Sequence, residues 1–246
     1  MAILYTVISS QAWCELLSTV PPDILGKLSV LGSFALDIDA AIPIARKAKN
    51  AMLDSGAFTA FTKGKVIDEE KLIEFAKNHP EFNEVVALDV IGDAQKSLEA
   101  ARRMKAAGLR PIPVFHLGED FDYLYIYKEE FHKVGLGWAT SRDPIKNFKW
   151  AAECFDRAWP CLIHAFGRAD SRLLLELPFD SADSARIGFQ WTYRLTPRNW
   201  SIKLKEHRDI TGFVEFWLKF EGLTELKWAR VLEPLRQKYK PRERRS

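Results

Sequence analysis

Apolar and polar positions fall into short blocks whose period switches along the chain. Leu28 to Leu36 is an apolar run of strand length, and Asn50-Ala-Met-Leu is another that ends at Asp54. Asp68 then stands where an N-cap should, ahead of a helical stripe of Leu72, Ile73, Phe75 and Ala76 that runs to Asn78. Val85 to Asp89 predicts a further strand, and Ala94 to Ala107 a helix stopped at Gly108. The remainder repeats the alternation. Pro111–Glu119 is read as strand, Tyr123–Phe131 as helix, Val134–Trp138 as strand, and Lys146–Arg157 as helix. Cys161–Gly167 is read as strand and Ser171–Leu177 as helix, and 213–239 as one or two terminal helices. Strands spaced by helices of roughly ten to fifteen residues predict βα units on a parallel sheet.

Acids and histidines close these runs. Asp54 is followed by Ser55 and Gly56, Asp89 ends Val85-Val-Ala-Leu, and His116 leads Gly118 and Glu119 at the end of the Pro111 run. Groups at the carboxyl ends of parallel strands are where barrel enzymes keep their chemistry. With 246 residues the chain suits one domain, since (β/α)8 barrels run to about 250 residues. The expected fold is therefore a single-domain (β/α)8 TIM barrel over 1–246, with a motif-bearing core at 28–186 and a basic helical appendage at 187–246.

Composition narrows the setting. Hydrophobic residues make up 47% and charged ones 28%, enough for a full core beneath an ordinary soluble surface. Met1 to Val7 lacks the basic region and cleavage site of a signal peptide, and no apolar stretch reaches the roughly 20 residues of a membrane helix. The expected setting is cytoplasmic, without membrane contact. Cys14, Cys154 and Cys161 are odd in number and scattered, which reads as buried thiols rather than a disulfide framework or metal site. From Arg186 onward the chain carries 15 Lys+Arg against 7 Asp+Glu, a net +8, which leaves −5 for the rest. Aromatics sit among those cations around Trp191, Tyr193 and Trp200, a mixture that fits phosphate neutralisation and base stacking. Arg186, Arg194, Arg198, Lys203 and Lys205 are the candidate nucleic-acid contacts; the bland alternative is a solvated basic tail.

Each candidate has a structural alternative. Asp54 is either a strand-tip acid or an N-cap, and Asp89 is a site acid or a cap. His116 is a ligand contact or a satisfied core histidine. Gly135 and Gly137 allow close approach of a ligand, or merely of neighbouring chain. His164 and Gly167 stay similarly open. Glu119 and Asp120 are site groups or helix N-terminal charges. Asp180 and Asp183 lie three apart after a helix, too many acids for a turn alone.

Taken in order, these elements resemble the tRNA-guanine transglycosylases. Leu53-Asp-Ser-Gly-Ala-Phe is similar to the family's Asp-Ser-Gly-Gly-Phe strand end, and Ala87-Leu-Asp-Val to its base-recognising acid. Phe115-His-Leu-Gly-Glu stands in the place of a Gln-Gly element, Val134-Gly-Leu-Gly in that of a Gly-Gly-Leu loop, and Leu177 to Ser184 in that of the nucleophile segment. The likeness spans about Leu28 to Arg186 and is greatest to the short phage-type paralogues that insert 7-deazaguanines into DNA.

That resemblance implies a base exchange through a covalent glycosyl-aspartate, on a nucleotide taken out of the stack. It assigns Asp183 as nucleophile, with Asp180 in reserve, and Asp54 as general acid/base. Ser55, Gly56, Asp89, His116, Gly118, Gly135, Leu136, Gly137 and His164 would line the base pocket. The implied partners are DNA, with tRNA as the alternative polymer, and a 7-deazaguanine such as 7-cyano-7-deazaguanine; no cofactor is implied. The family's structural zinc has no counterpart here, since no cysteine follows Cys161, so no metal is expected. His116 replaces a glutamine of the pattern. A non-catalytic nucleic-acid-binding paralogue and a hydrolase of nucleosides or small glycosides are the readings from other classes.

Overall fold

A computed structural model describes residues 3–8, 10–137, 143–167, 171–184, 214 and 218–219. Among the described residues nine strands run in parallel: β1 (Ile3–Ile8), β2 (Ser29–Ser33), β3 (Asn50–Asp54), β4 (Glu84–Val86), β5 (Pro111–Ile112), β6 (Val114–His116), β7 (Lys133–Gly137), β8 (Leu162–Ala165) and β9 (Ser181–Ser184). Their lateral order is β5-β4-β3-β2-β1-β9-β8-β7-β6. The two ends of that order are halves of one stave broken at Pro113. Proline has no N–H to give to a ladder, yet its carbonyl still accepts from the Gly135 amide at 2.8 Å. Pro111–Ile112 pairs with β4 and Val114–His116 with β7, so eight staves close into a ring. The fold is a (β/α)8 TIM barrel.

Alternation along each strand builds two apolar layers. Tyr5, Leu31, Met52, Val86, Ile112 and Val114 fill the bore, with Ile3, Val7 and Phe166 against them. The intervening residues, among them Leu4, Val30, Leu53, Phe115, Val134, Leu136 and Ile163, face the helices and meet Leu17, Ile44, Leu72, Leu98, Met104 and Leu124. The helices between the staves are α1 (Gln11–Ser18), α2 (Pro22–Leu25), α3 (Ile38–Ala45), α4 (Ala57–Thr62), α5 (Glu69–Asn78), α6 (Ala94–Ala106), α7 (Phe121–Glu130), α8 (Pro144–Ala158) and α9 (Ser171–Glu176). Asp68 caps α5, Asp93 caps α6, Asp120 caps α7 and Asp143 caps α8, each accepting a backbone N–H of the first turn.

The structure departs from the sequence expectation at both ends of the barrel. Ile3–Ile8 is a full stave although it carries no closing acid, and Ser181–Ser184 is a stave although Ser-Ala-Asp-Ser has little strand preference. β1 and β8 on either side of β9 supply its ladder partners, which override that preference. Of the terminal helical stretch, Val214, Leu218 and Lys219 are the described residues; Val214 is buried and Leu218 packs on the core. Arg186, Arg194, Arg198, Lys203 and Lys205 lie outside the described residues.

Candidate active site

All staves point the same way, so their carboxyl ends share one mouth. β2 ends at Ser33, β3 at Asp54, β6 at His116 and β7 at Gly137, while Asp89 follows β4 and Asp183 lies in β9. The mouth therefore gathers Asp54, Asp89, His116 and Asp183 as the sequence leads one to expect.

Asp54 is the most perturbed of these acids. Burial first, then the charges of Asp183 and Asp89, push its carboxyl from the ordinary 3.8 up to about 7. The Ser33 hydroxyl and the Gly56 amide draw it part of the way back. The Gly56 N–H donates to Asp54 Oδ2 at 3.1 Å, which fixes the carboxyl against the bend. Gly56 has φ +78, and a Cβ there would lie 2.3 Å from the Ala35 Cβ, so the bend requires glycine. Asp54 is no helix cap: α4 begins at Ala57 behind Gly56 without a side-chain cap bond.

Asp183, 7% exposed, is held by two donors on a single oxygen. The Gly167 N–H reaches Oδ1 at 2.8 Å and His164 Nε2 lies 3.2 Å from the same atom. His164 is fully buried and its Nδ1 lies 2.8 Å from Ser181 Oγ. Both ring nitrogens are thus engaged by the protein, and the ring stands behind Asp183 rather than on the mouth.

Across the mouth, His116 Nε2 lies 2.6 Å from Asp89 Oδ2. Burial lowers the proton affinity of His116, but the bond to Asp89 and its charge outweigh that and raise it above the ordinary value. Glu119, weighed in the sequence as a helix charge, accepts from the His116 backbone N–H at 2.9 Å. Burial raises its carboxyl, and its Oε1 is buried without a hydrogen-bond partner among the described residues. The α6 cap is Asp93, not Asp89. Ser33 goes beyond the sequence expectation; its signal was its place one residue past a strand glycine, which spacing alone does not distinguish from a turn.

The remaining pocket candidates sit elsewhere or are covered. Ser55 is 1% exposed and its Oγ faces the Ala57 N–H at 3.4 Å, beneath α4. Leu136 is fully buried on the helix side. Gly135 and Gly137 leave space that rings of the protein occupy: a Cβ at Gly135 would lie 2.2 Å from Phe166 Cε2, and one at Gly137 would lie 2.5 Å from His116 Nδ1. Gly118 has φ +105 and turns the chain out of β6. Asp180 is drawn to the base of the barrel, where its Oδ2 lies 2.8 Å from Lys133 Nζ. Among the described residues no group of three or more His, Cys, Asp and Glu is arranged to hold a metal ion, and no helix is long and apolar enough to cross a membrane.

No family model matches the sequence, and no curated protein does. Solved structures do. A tryptophan synthase alpha-subunit variant from Pyrococcus furiosus is similar at 10% identity and TM-score 0.55, covering 89% of this chain and 96% of its own. The YdjI aldolase of Escherichia coli K12 is similar at 11% identity and TM-score 0.51, covering 96% of this chain and 90% of its own. An Aquifex aeolicus VF5 protein matches at 9% identity and TM-score 0.56, covering 89% and 92%. The likeness is one of fold.

These findings overturn the transglycosylase resemblance. Five short motifs in register carry no family when no family model matches, and the barrels named above are an aldolase and tryptophan synthase alpha-subunits. Functional residues at strand ends are common to barrel enzymes in general, so such spacing alone marks no family. DNA-guanine exchange, its tRNA alternative and the 7-deazaguanine chemistry fall with it.

Proposed function

We propose that the chain is an enzyme that transfers protons to and from a small organic substrate held in the barrel mouth. One observation carries this: Asp54, poised at about 7 and raised in part by the charge of Asp183, shares the mouth with that acid, whose carboxylate is fixed by His164 and the Gly167 amide. Two carboxyl groups in contrasting environments at one site divide the roles of acid and base. Asp54 exchanges the proton, since a group titrating near neutrality serves equally as donor and acceptor. Asp183 accepts an O–H or N–H of the substrate and stabilises positive charge that develops there. The reaction class this supports is acid–base cleavage or isomerisation at a carbon bearing such a donor, in keeping with a fold shared with an aldolase.

The test is a carbon-13 NMR titration of aspartate carboxyls, with Asp54 assigned through Asp54→Asn. A midpoint near 7 is expected, and once a substrate is found the same midpoint governs one limb of its pH–rate profile. Asp54→Asn then lowers turnover by about 10²–10⁴-fold with binding retained. An Asp54 midpoint near 4 would remove the acid from the mechanism.

A further inference from the structure

The bore holds a polar line that the mouth chemistry does not itself require. At the base of the barrel Lys133, 2% exposed, lies 2.8 Å from Asp180 Oδ2 and also pairs with Glu84. The Tyr5 hydroxyl donates to Glu84 Oε2 at 2.8 Å. Against the upward push of its burial, Lys133 and Tyr5 hold the Glu84 carboxyl below the usual range. Its third contact is Ser181 Oγ at 3.4 Å. Ser181 Oγ lies 2.8 Å from His164 Nδ1, and His164 Nε2 lies 3.2 Å from Asp183 Oδ1.

The donor count gives this line a direction. An ammonium only donates, so Ser181 Oγ accepts from Lys133 and has one proton to place. His164 Nδ1, 2.8 Å away, is placed to receive it. A neutral imidazole that accepts at Nδ1 carries its hydrogen at Nε2, where Asp183 Oδ1 receives it. Every member of the chain is buried, in the low-dielectric setting where a hydrogen-bonded network is most consequential.

We infer that Lys133, Ser181 and His164 are positioning residues: a one-way hydrogen-bond chain from the base of the barrel locks His164 as the Nε2–H tautomer and thereby aims Asp183. Both protein donors converge on Oδ1, which leaves Oδ2 as the oxygen for substrate. His164 acts through Asp183 and touches no ligand. The inference rests on Asp183 as the fixed carboxylate of the proposed reaction, but its signature needs no turnover.

The experiment is long-range proton–nitrogen NMR of nitrogen-15 histidine-labelled full-length protein at pH 7, with the His164 ring assigned by its loss in His164→Gln. The expected wild-type pattern is one neutral tautomer with the proton on Nε2. Ser181→Ala is expected to replace it by a mixture of tautomers and to move the Asp183 carboxyl resonance, while Ser181→Thr, which keeps the hydroxyl, restores the single pattern. Circular dichroism and unfolding curves establish that each variant is folded; if Ser181→Ala is not, Ser181→Cys gives the same comparison with a weaker donor. A wild-type Nδ1–H tautomer, or an unchanged tautomer in folded Ser181→Ala, overturns the inference. Failure of the proton-transfer reading shows separately, as an ordinary Asp54 midpoint with the His164 pattern intact.

Discussion

The 2.6 Å bond between His116 Nε2 and Asp89 Oδ2 joins the tips of neighbouring staves and engages one of the two acids whose charge raises the Asp54 carboxyl. Asp89 and its charge raise the proton affinity of His116, and a proton on that ring counters the Asp89 charge. Replacing His116 with Ala leaves the Asp89 carboxylate uncompensated, so the Asp54 midpoint should rise further above about 7. His116→Gln should give an intermediate shift, since it can hydrogen-bond but brings no charge. The carboxyl titration decides: a midpoint that stays put or falls in His116→Ala would break the electrostatic link between the two pairs.

Raising the Asp54 carboxyl has a cost in stability that depends on pH. The folded state holds the proton up to about 7, whereas the unfolded chain releases it near the ordinary 3.8. The stabilising contribution is thus fully present below about pH 4 and is lost as pH rises through 7. Its ceiling is about 4 kcal/mol, because each tenfold change in proton affinity between the two states is worth about 1.4 kcal/mol. Asp54→Asn removes this dependence, so the variant should lose less stability than the parent between pH 4 and 8 and be the more stable protein at pH 8. Urea unfolding across that range measures it, and parallel curves for the two proteins would mean that Asp54 is not perturbed.

Gly137 shapes the mouth by leaving room for a ring. A Cβ there would stand 2.5 Å from His116 Nδ1 and 2.7 Å from its Cε1, and the ring is tethered at its other side by Asp89. Gly137→Ala should cost about 1–3 kcal/mol, the range for forcing an added methyl into packed surroundings. It should also displace His116 from Asp89, visible as a fall in the His116 midpoint. Loss of stability without that fall would place the strain in the backbone instead.

The barrel was legible because its staves carry their own punctuation. Apolar runs closed by Asp54, Asp89 and His116 mark three strand ends, and Asp68 together with Gly108 bounds helices whose stripes are regular. The staves that escaped notice lack such marks. β1 has no polar terminus, and β9 is Ser-Ala-Asp-Ser, a strand only because β1 and β8 flank it. The site was legible residue by residue and misread as a whole. Spacing places acids at one mouth but says nothing of what each side chain touches, so His164, buried behind Asp183, looked like a ligand contact. Nor does spacing show that Phe166 and His116 fill the space over Gly135 and Gly137. The relation of Lys133 to Ser181 spans 48 positions, a distance that a single sequence does not bridge.

The charge of the mouth selects the ligand. Its described groups are Asp54, Asp89, Asp183 and Glu119 with the imidazole of His116, a set rich in acceptors and poor in cations. A neutral polyol or an amine can donate to these oxygens, whereas a phosphomonoester of the same skeleton brings about two negative charges to buried carboxylates. Thermal unfolding in the presence of paired neutral, amino and phosphorylated compounds tests this. A ligand at about one hundred times its Kd stabilises by about 2.7 kcal/mol, which for a domain of this size raises Tm by roughly 5–10 °C. The rise is expected from neutral or amino members of a pair, and it should be lost in Asp183→Asn, where an acceptor oxygen becomes a donor amide. A larger rise from the phosphorylated member would reverse the assignment, because such a ligand needs cations that these groups do not supply.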